Sequence, residues 1–409
     1  MKYYLVGIKG AGMASLSNIL FDLGHEVRGC DFNKVFFTDK KINNEIIIDS
    51  FDSILIDNDY IYIIGNAYKT HEIRGLVNNC VDYTIFIETF FKMEKIAISG
   101  THGKTTTTSF LSQITNKEAN VLSGDGNGKG NKNASYLILE ACEYKNHFLN
   151  YTNKILLINN IEYDHPDFFN NINEVIMSFQ RCANNSEVLV VNGDCTNCLK
   201  IKHFNKIRFG MKNYNDIKFL YKQFKSNIVL TIYFYGNKEE IILPILAKHN
   251  IYNYVGAFIL SKLIDSSDEY ILEKSKTISL PSRRQEITKK GNSIIVDDYA
   301  HHPTEIKNTL EYLKEYYDDY EVVVLFQPHT YSRTDSFIDD FITSLSIANE
   351  VYILDVFSSV RETGEENNLL NKTKFEKFDE KILEEIGIKK KVYVFMGAGD
   401  VNNLINQIK

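Results

Sequence analysis

The sequence predicts an α/β protein built on parallel sheets, and three observations carry that prediction. Short, unbroken apolar runs recur along the 409 residues and stop abruptly at glycine, asparagine or acidic positions. Runs without polar alternation are what strands buried on both faces look like. Stretches of helical period lie between them, as at Leu16, Ile19, Leu20 and Leu23, spaced i, i+3, i+4 and i+7. Two of the runs lead at once into glycine-rich loops, and in open parallel sheets ligands bind beyond the carboxyl ends of the strands.

Taken in order, residues 3–6 stop at Gly7, and a second strand over 26–30 leads to Asp31. Residues 95–98 stop at Ser99 and Gly100, 136–139 at Glu140, and 155–158 at Asn159 and Asn160. Between about 205 and 245 the pattern turns to strand-like runs such as 228–233 with no clear helix between them, which predicts a small antiparallel annex. Residues 294–296 stop at Asp297 and Asp298, 322–326 at Gln327, Pro328 and His329, 352–354 at Asp355, and 392–395 at a Met-Gly-Ala-Gly turn. The charged patch 92–95 puts one boundary near residue 94. The linker-like stretch 275–281 puts another near 280. The expected domains are 1–94, 95–280 and 281–409, with 361–368 expected as a charged loop.

Composition narrows the function classes. Lys and Arg number 46 against 53 Asp and Glu, a formal −7, whereas a broad nucleic-acid surface needs clustered excess cations. Nowhere do eighteen uncharged apolar residues run together, so no spanning helix is expected. The first seven residues lack a signal peptide's apolar core. Six cysteines in so long a chain make no disulfide scaffold. The expectation is a cytoplasmic protein without nucleic-acid partners or membrane insertion.

The strongest local signal is Gly100-Thr101-His102-Gly103-Lys104-Thr105-Thr106, between a strand and a helical run. Its spacing is tighter than the common phosphate loop, but the physics is shared: glycines let backbone amides close round phosphates at a helix start. Lys104 would reach the terminal phosphates and the Thr105 hydroxyl would hold Mg²⁺. The next two strand ends carry Glu140 (in Glu-Ala-Cys-Glu-Tyr) and His165 (in Asn-Ile-Glu-Tyr-Asp-His-Pro), an oxygen and a nitrogen ligand for ions beside phosphates. Residues 248–253 read as a helix start with asparagines capping. Asp298, His301 and the segment through Glu305 form a polar cluster at a later strand end. His329 and Arg333 form another, with Arg333 suited to a carboxylate. Near the N-terminus Gly7, Gly10 and Gly12 form a dinucleotide-like loop with Asp31 after the next strand. Their spacing is wrong for a nicotinamide cofactor, yet sound for an anion at a helix start with Asp31 on a ribose. Two nucleotide-like sites imply ATP and a nucleotide-bearing substrate. Cys195 and Cys198 have Cys-x-x-Cys spacing, but no second pair completes a zinc site, so the spacing reads as coincidence.

Together these segments resemble the Mur ligases over nearly the whole chain and in the family's order: GIKGAGM, GTHGKTTTT, EACEY, NIEYDHPDFF, HNIYN, SRRQE, DDYAHHPTE, FQPHTYSRT, FSSVRETGE and MGAGD. The resemblance implies a Rossmann-like N-terminal domain for a UDP-substrate, a central phosphate-loop ATPase domain with the β annex, and a C-terminal Rossmann-like domain. It implies ATP and two Mg²⁺ ions, which Mn²⁺ can replace. UDP-N-acetylmuramate and L-alanine would be joined through an acyl phosphate; a recycled murein tripeptide as acceptor is the alternative. Carried over to this chain, Gly100 to Thr106 would hold ATP. Thr105, Glu140 and His165 would hold the metal ions, Asn250 and Asn253 would flank the adenine, and Arg283 or Arg284 would meet phosphates. Asp298 would meet the ATP ribose. His301, His329 and Arg333 would face the reacting carboxylate and the incoming amino acid, and Gly10, Ala11, Gly12 and Asp31 would hold the UDP moiety. The chain departs from the family in being shorter than most members and in carrying Arg283-Arg284-Gln285 where they often have Arg-Arg-Phe.

Overall fold

A computed structural model describes residues 1–34, 36–244, 246–357 and 368–408. The expected loop at 361–368, apart from Asn368, and most of the FSSVRETGE segment lie outside them. The described residues form two compact units. One comprises Met1–Tyr163, Asn171–Leu246 and Asn250–Ser279, and the other Asp164–Asn170, Ala247–His249 and Leu280–Lys409.

The first unit holds two sheets. In the first, β1 (Lys2–Val6), β2 (Glu26–Asp31), β3 (Ile47–Ser50), β4 (Tyr60–Ile64) and β5 (Cys80–Asp82) lie in the order β3-β2-β1-β4-β5, all parallel. The order reverses beside β1, so the Gly7–Gly10 turn after it sits at the switch point where such sheets open a crevice. Helix α1 (Ala11–Asp22) follows that turn and α2 (Tyr83–Phe90) closes the sheet. The apolar residues of β1 and β4 are buried with Cys30, Ile73 and Val77.

The second sheet contains β6 (Glu94–Ser99), β7 (Ala119–Leu122), β8 (Tyr136–Glu140), β9 (Asn153–Ile158), β10 (Ser186–Asn192), β11 (Lys206–Gly210), β12 (Ile217–Gln223), β13 (Ile228–Phe234) and β14 (Asn237–Leu243). Their order, β14-β13-β12-β11-β10-β9-β6-β8-β7, reverses beside β6. The loop after β6 is the GTHGKT segment, again at a switch point. The helices are α3 (Lys104–Ile114), α4 (Ile172–Asn184), the short α5 (Thr196–Leu199), α6 (Lys248–Leu263) and α7 (Asp268–Ser275). Four consecutive threonines are poor helix formers, because branching at Cβ restricts χ1. In α3 tertiary packing overrides this: Thr105 to Thr108, Phe110, Leu111 and Ile114 are all buried. The antiparallel annex is real but not separate. β12 pairs parallel with β11, and only β12-β13-β14 run antiparallel, so the annex extends the main sheet.

In the second unit, β15 (Glu286–Lys290), β16 (Ser293–Asp298), β17 (Glu321–Phe326), β18 (Glu350–Ile353), β19 (Glu376–Lys377) and β20 (Lys391–Met396) take the order β15-β16-β20-β17-β18-β19, with only β15 antiparallel. β20 lies between β16 and β17, so the carboxyl ends of all three (Asp298, Phe326 and Met396) meet at one edge. Helices α8 (Pro303–Tyr316), α9 (Tyr331–Ser336) and α10 (Ile338–Leu345) cover the sheet. Among the described residues no helix is long and apolar enough to cross a membrane.

Within the first unit a glycine-rich loop after β7 runs against α1. The Ser15 hydroxyl donates to the Ser123 carbonyl at 2.5 Å, Asn18 Nδ2 to the Gly126 carbonyl at 3.3 Å, and the Gly130 amide to Asp22 at 2.8 Å. Gly128 permits this approach, because a Cβ there would stand 1.8 Å from the Ser15 carbonyl oxygen. Gly128→Ala should therefore cost about 2 kcal/mol, the usual order for forced overpacking. The melting temperature of the folded chain should fall measurably. Gly75→Ala, where a Cβ meets nothing within 4 Å, should leave it unchanged. Equal melting of both variants would contradict the packing described.

Candidate functional site

The phosphate loop is built from the strand end upward. Gly100 has φ +136° and Gly103 φ +81°, both outside the range L side chains readily adopt. A Cβ on Gly103 would also lie 2.3 Å from Asn253 Oδ1. The segment after β9 ties the loop down. Thr101 N donates to the Asn160 carbonyl at 3.1 Å, His102 N donates to Asn160 Oδ1 at 2.8 Å, and Asn160 Nδ2 donates back to the His102 carbonyl at 3.1 Å. The Glu162 amide donates to the Thr101 hydroxyl at 2.8 Å.

Inside this frame the Lys104 ammonium donates to the carbonyls of Gly100 (2.5 Å) and Thr101 (3.0 Å) and pairs with Glu143 at 3.0 Å. Burial works against its charge. The nearby acids, Glu143 above all, outweigh burial and raise the lysine's pKa. Glu143 is only 2% exposed, and it is the partner of Lys104 that sequence reading did not single out. The EACEY segment showed two acids, and nothing in their spacing told which would face the lysine. The other acid, Glu140, accepts from the Thr105 hydroxyl at 2.9 Å and from the Gly124 amide at 2.8 Å. Asn250 and Asn253 are buried within the first turns of α6, linked at 3.1 Å. They lie inside the helix rather than capping it, because the helix already begins at Lys248.

At the N-terminal switch point Gly10 caps α1 without any side-chain cap, so the amides of Ala11 and Gly12 remain for an anion. Asp31 is buried and accepts from the amides of Lys9 and Phe32, each at 2.8 Å. Burial pushes its carboxyl up. Its present work is to close the loop round Gly7, against which the Tyr68 ring packs.

The second unit gathers the remaining predicted residues at one sheet edge and a neighbouring loop. The Arg283 guanidinium donates to the carbonyls of Gly397 (2.8 Å) and Gly399 (3.0 Å), approaches Asp297 at 3.4 Å and lies over the Tyr299 ring. It is a strut between β16 and the turn after β20. Arg284 is more open, 3.6 Å from Glu305. Gln285, where relatives often place Phe, is buried and donates to Thr309 Oγ1 at 3.3 Å; that hydroxyl donates to Asp298 at 2.7 Å. His301 and His302 part company. His302 accepts from the Thr304 amide and caps α8, while His301 lies 3.4 Å from Glu305 and its ring is 5.9 Å from that of His329. Burial lowers His301 to about 4, so its imidazole is neutral at physiological pH. Arg333 is buried and forked onto Asp164 at 3.0 and 3.3 Å, with His329 Nδ1 3.3 Å away. Burial would raise Asp164, yet His165, Arg333 and His302 hold its carboxyl well below the usual range. His165 itself sits at φ +57° beside Asp164.

These features define a class: a phosphate-loop α/β protein whose lysine and hydroxyl are backed by two strand-end acids, followed by a further parallel sheet with a polar edge. Models of one family match all three sheets, the Mur ligase family catalytic domain at residues 2–79, the Mur ligase middle domain at 98–261 and the Mur ligase glutamate ligase domain at 283–401. The chain belongs to the Mur ligase family, the ATP-dependent amide ligases of cell-wall precursor synthesis. Solved structures share the fold. A UDP-N-acetylmuramate-alanine ligase from Thermotoga maritima is 21% identical at TM-score 0.80, covering 100% of this chain and 98% of that one. A murein peptide ligase from Psychrobacter arcticus is 20% identical at TM-score 0.72, with coverage of 100% and 98%. A pseudomurein peptide ligase type C from Methanothermus fervidus is 17% identical at 0.66, each chain fully covered.

The buried acids at the β16 edge give a pH signature. Burial pushes Asp298 up from 3.8 to about 6, despite its bonds from Thr309 and the Ala300 amide. The fold therefore favours the neutral carboxyl. Its stabilising contribution is present below about pH 4 and is lost as pH rises through 6, since the unfolded chain releases that proton first. Asp298→Asn removes this titration. Its cost relative to the natural chain should shrink between pH 4 and 6.5 by up to about 3 kcal/mol, the conversion of a carboxyl moved from 3.8 to about 6. Urea unfolding at both pH values measures it, and a pH-independent difference would contradict the assignment.

Proposed function

We propose that the chain joins L-alanine to the carboxylate of UDP-N-acetylmuramate, giving ADP and phosphate. The observation that carries the nucleotide half of this reading is the Lys104–Glu143 pair at the mouth of the GTHGKT loop. Domain limits at 94 and 280 and the site roles below belong to the same proposal. Gly100 to Thr106 cradle the phosphates, and Asn250 and Asn253 flank the adenine. Arg284 meets phosphate in preference to Arg283, whose guanidinium is bound to two carbonyls. Asp298 meets the ATP ribose. The amides at Gly10, Ala11 and Gly12 take the diphosphate of the UDP-sugar, and Asp31 fixes the loop they belong to. His301, His329 and Arg333 border the acceptor.

The Thr105 hydroxyl and Glu140 carboxylate, 2.9 Å apart, are a hard-oxygen pair that fits Mg²⁺. His165 is proposed for a second ion, and Mn²⁺ fits the same donors. Such ions would neutralise charge on the polyphosphate.

A carboxylate is inert to amines in water, so the reaction needs a better leaving group. The substrate carboxylate oxygen attacks the terminal phosphorus and ADP departs, leaving an acyl phosphate. Lys104, aimed from its carbonyl cradle, stabilises charge as it shifts among phosphate oxygens. The amine then attacks the carbonyl carbon, and phosphate leaves with the former carboxylate oxygen. Neutral His301 is suited to accept a hydrogen bond from the incoming amine and so to orient it.

A second reading, attachment of a murein tripeptide, is kept open by the likeness to the Psychrobacter arcticus ligase. Attraction to one methyl is worth only about 1–3 kcal/mol, so an alanine site must exclude larger groups sterically. Phosphate release with ATP and UDP-N-acetylmuramate should be fastest with L-alanine, slow with glycine and L-serine, and absent with L-Ala-γ-D-Glu-containing tripeptide. Higher kcat/KM for the tripeptide would transfer the assignment to the second reading. No phosphate release with any of these amines would overturn both.

A further inference from the structure

Two side chains that the ligase reading assigns to different reactants meet at one carboxylate in the second unit. Glu305 stands in the first turn of α8 with its side chain 14% exposed. Its Oε2 accepts from the His301 amide at 3.1 Å and lies 3.4 Å from His301 Nδ1, while its Oε1 faces Arg284 Nη1 at 3.6 Å. His301 Nδ1 is also 3.0 Å from the Tyr299 carbonyl. A carbonyl only accepts, so Nδ1 carries the proton and Nε2 keeps the lone pair. The Arg284 guanidinium lies over the Tyr299 ring, 4.9 Å from its centre. The backbone that delivers it is bent: Arg283 and Gln285, on either side, hold φ +59° and +50°, a region side chains seldom occupy. The Tyr299 amide pins this bend by donating to the Arg283 carbonyl at 2.7 Å. The bend sends the two arginines to different work, Arg283 onto the carbonyls of Gly397 and Gly399 and Arg284 to Glu305. Strain of this kind persists where the surroundings fix it, and it gathers at functional sites.

We propose that Glu305 is a positioning residue that links the nucleotide to the amine: its carboxylate holds Arg284 until a phosphate takes the guanidinium, and from then on it serves His301 alone. The inference rests on the ligase reading, in which Arg284 meets phosphate and His301 orients the incoming amine.

The geometry suits an exchange of partners. At 3.6 Å the Arg284–Glu305 pair is looser than a good charge-assisted hydrogen bond of about 2.7–2.9 Å, so the guanidinium is given up at little cost. The grip on His301 is firmer, because its amide and Nδ1 both face the same oxygen. Two effects of opposite sign follow. Before the nucleotide arrives, Glu305 competes with phosphate for Arg284 and so weakens binding. Beside His301 it favours the Nδ1–H form, which leaves the Nε2 lone pair for the amine, and so it strengthens use of the amine. A side chain that only propped up the fold would weaken both when lost.

The test uses the full chain with Glu305→Gln, which keeps the shape and an oxygen for the His301 amide but removes the charge. Calorimetric titration with ATP and Mg²⁺ should show binding about threefold tighter than in the natural chain, the order a partly exposed ion pair is worth. Arg284→Met should bind more weakly, and adding Glu305→Gln to it should change the affinity no further. In phosphate release with UDP-N-acetylmuramate, Glu305→Gln should lower kcat/KM for L-alanine about tenfold, the worth of one orienting hydrogen bond, while KM for ATP falls. If Glu305→Gln does not fold, Glu305→Asp, which draws the charge back by one methylene, should give the same gain in ATP affinity. Natural or weaker ATP affinity in the folded variant, an equal gain in the Arg284→Met background, or an unchanged kcat/KM for the amine would overturn the proposal. A natural chain that releases phosphate with none of the amines would remove the ligase reading instead, and the ATP affinities would still decide whether Glu305 holds Arg284 back.

Discussion

A lysine ammonium held among two carbonyls and a buried carboxylate is the constraint on which the central sheet depends. An unpaired Lys104 at this depth would lose its proton or draw in water. Glu143 keeps it charged, and the carbonyls of Gly100 and Thr101 aim it. That arrangement requires a loop tight enough to turn its carbonyls toward the side chain four residues on. Only glycine suits φ +136° and +81° at its two corners. The loop must in turn be fixed, which is the work of Asn160 and the Glu162 amide. Cation, loop and strand end are thus one unit.

Much of this was legible from residue order. Unbroken apolar runs located the parallel strands, since a strand covered on both faces has no polar side to alternate. The strand ends pointed to Gly100, Glu140, Asp298 and His329, because parallel topology sends all carboxyl ends to one edge. The continuity of β11 with β12 was not legible. Whether a run of strands extends a sheet or forms its own depends on hydrogen-bond partners distant in sequence. Glu143 was hidden for a similar reason: the turn after β8 decides which acid faces the loop. The roles of Arg283 and Arg333 were also beyond local pattern. Their partners, Gly397, Gly399 and Asp164, lie more than a hundred residues away.

The second unit shows the same economy with opposite electrostatics. At its β16 edge burial raises the Asp298 carboxyl to about 6, whereas the cations round Asp164 hold its carboxyl well below the usual range. The contrast comes from company more than from depth. Asp298 is met by a hydroxyl and an amide, Asp164 by a guanidinium. A buried Arg–Asp fork is worth little over an apolar pair of the same shape, but breaking it strands a charge. Arg333 therefore secures the His165 loop as firmly as it could serve any ligand.

In the proposed reaction Lys104 is the cation that the loop delivers to the nucleotide. Calorimetric titration of Lys104→Met with ATP and Mg²⁺, beside a thermal melt and the phosphate-release rate, addresses it most directly. The variant should fold, bind ATP at least about tenfold more weakly, the loss of one charged contact of about 1.5–3 kcal/mol, and release phosphate slower by orders of magnitude. A folded Lys104→Met chain with near-natural affinity and turnover would contradict it.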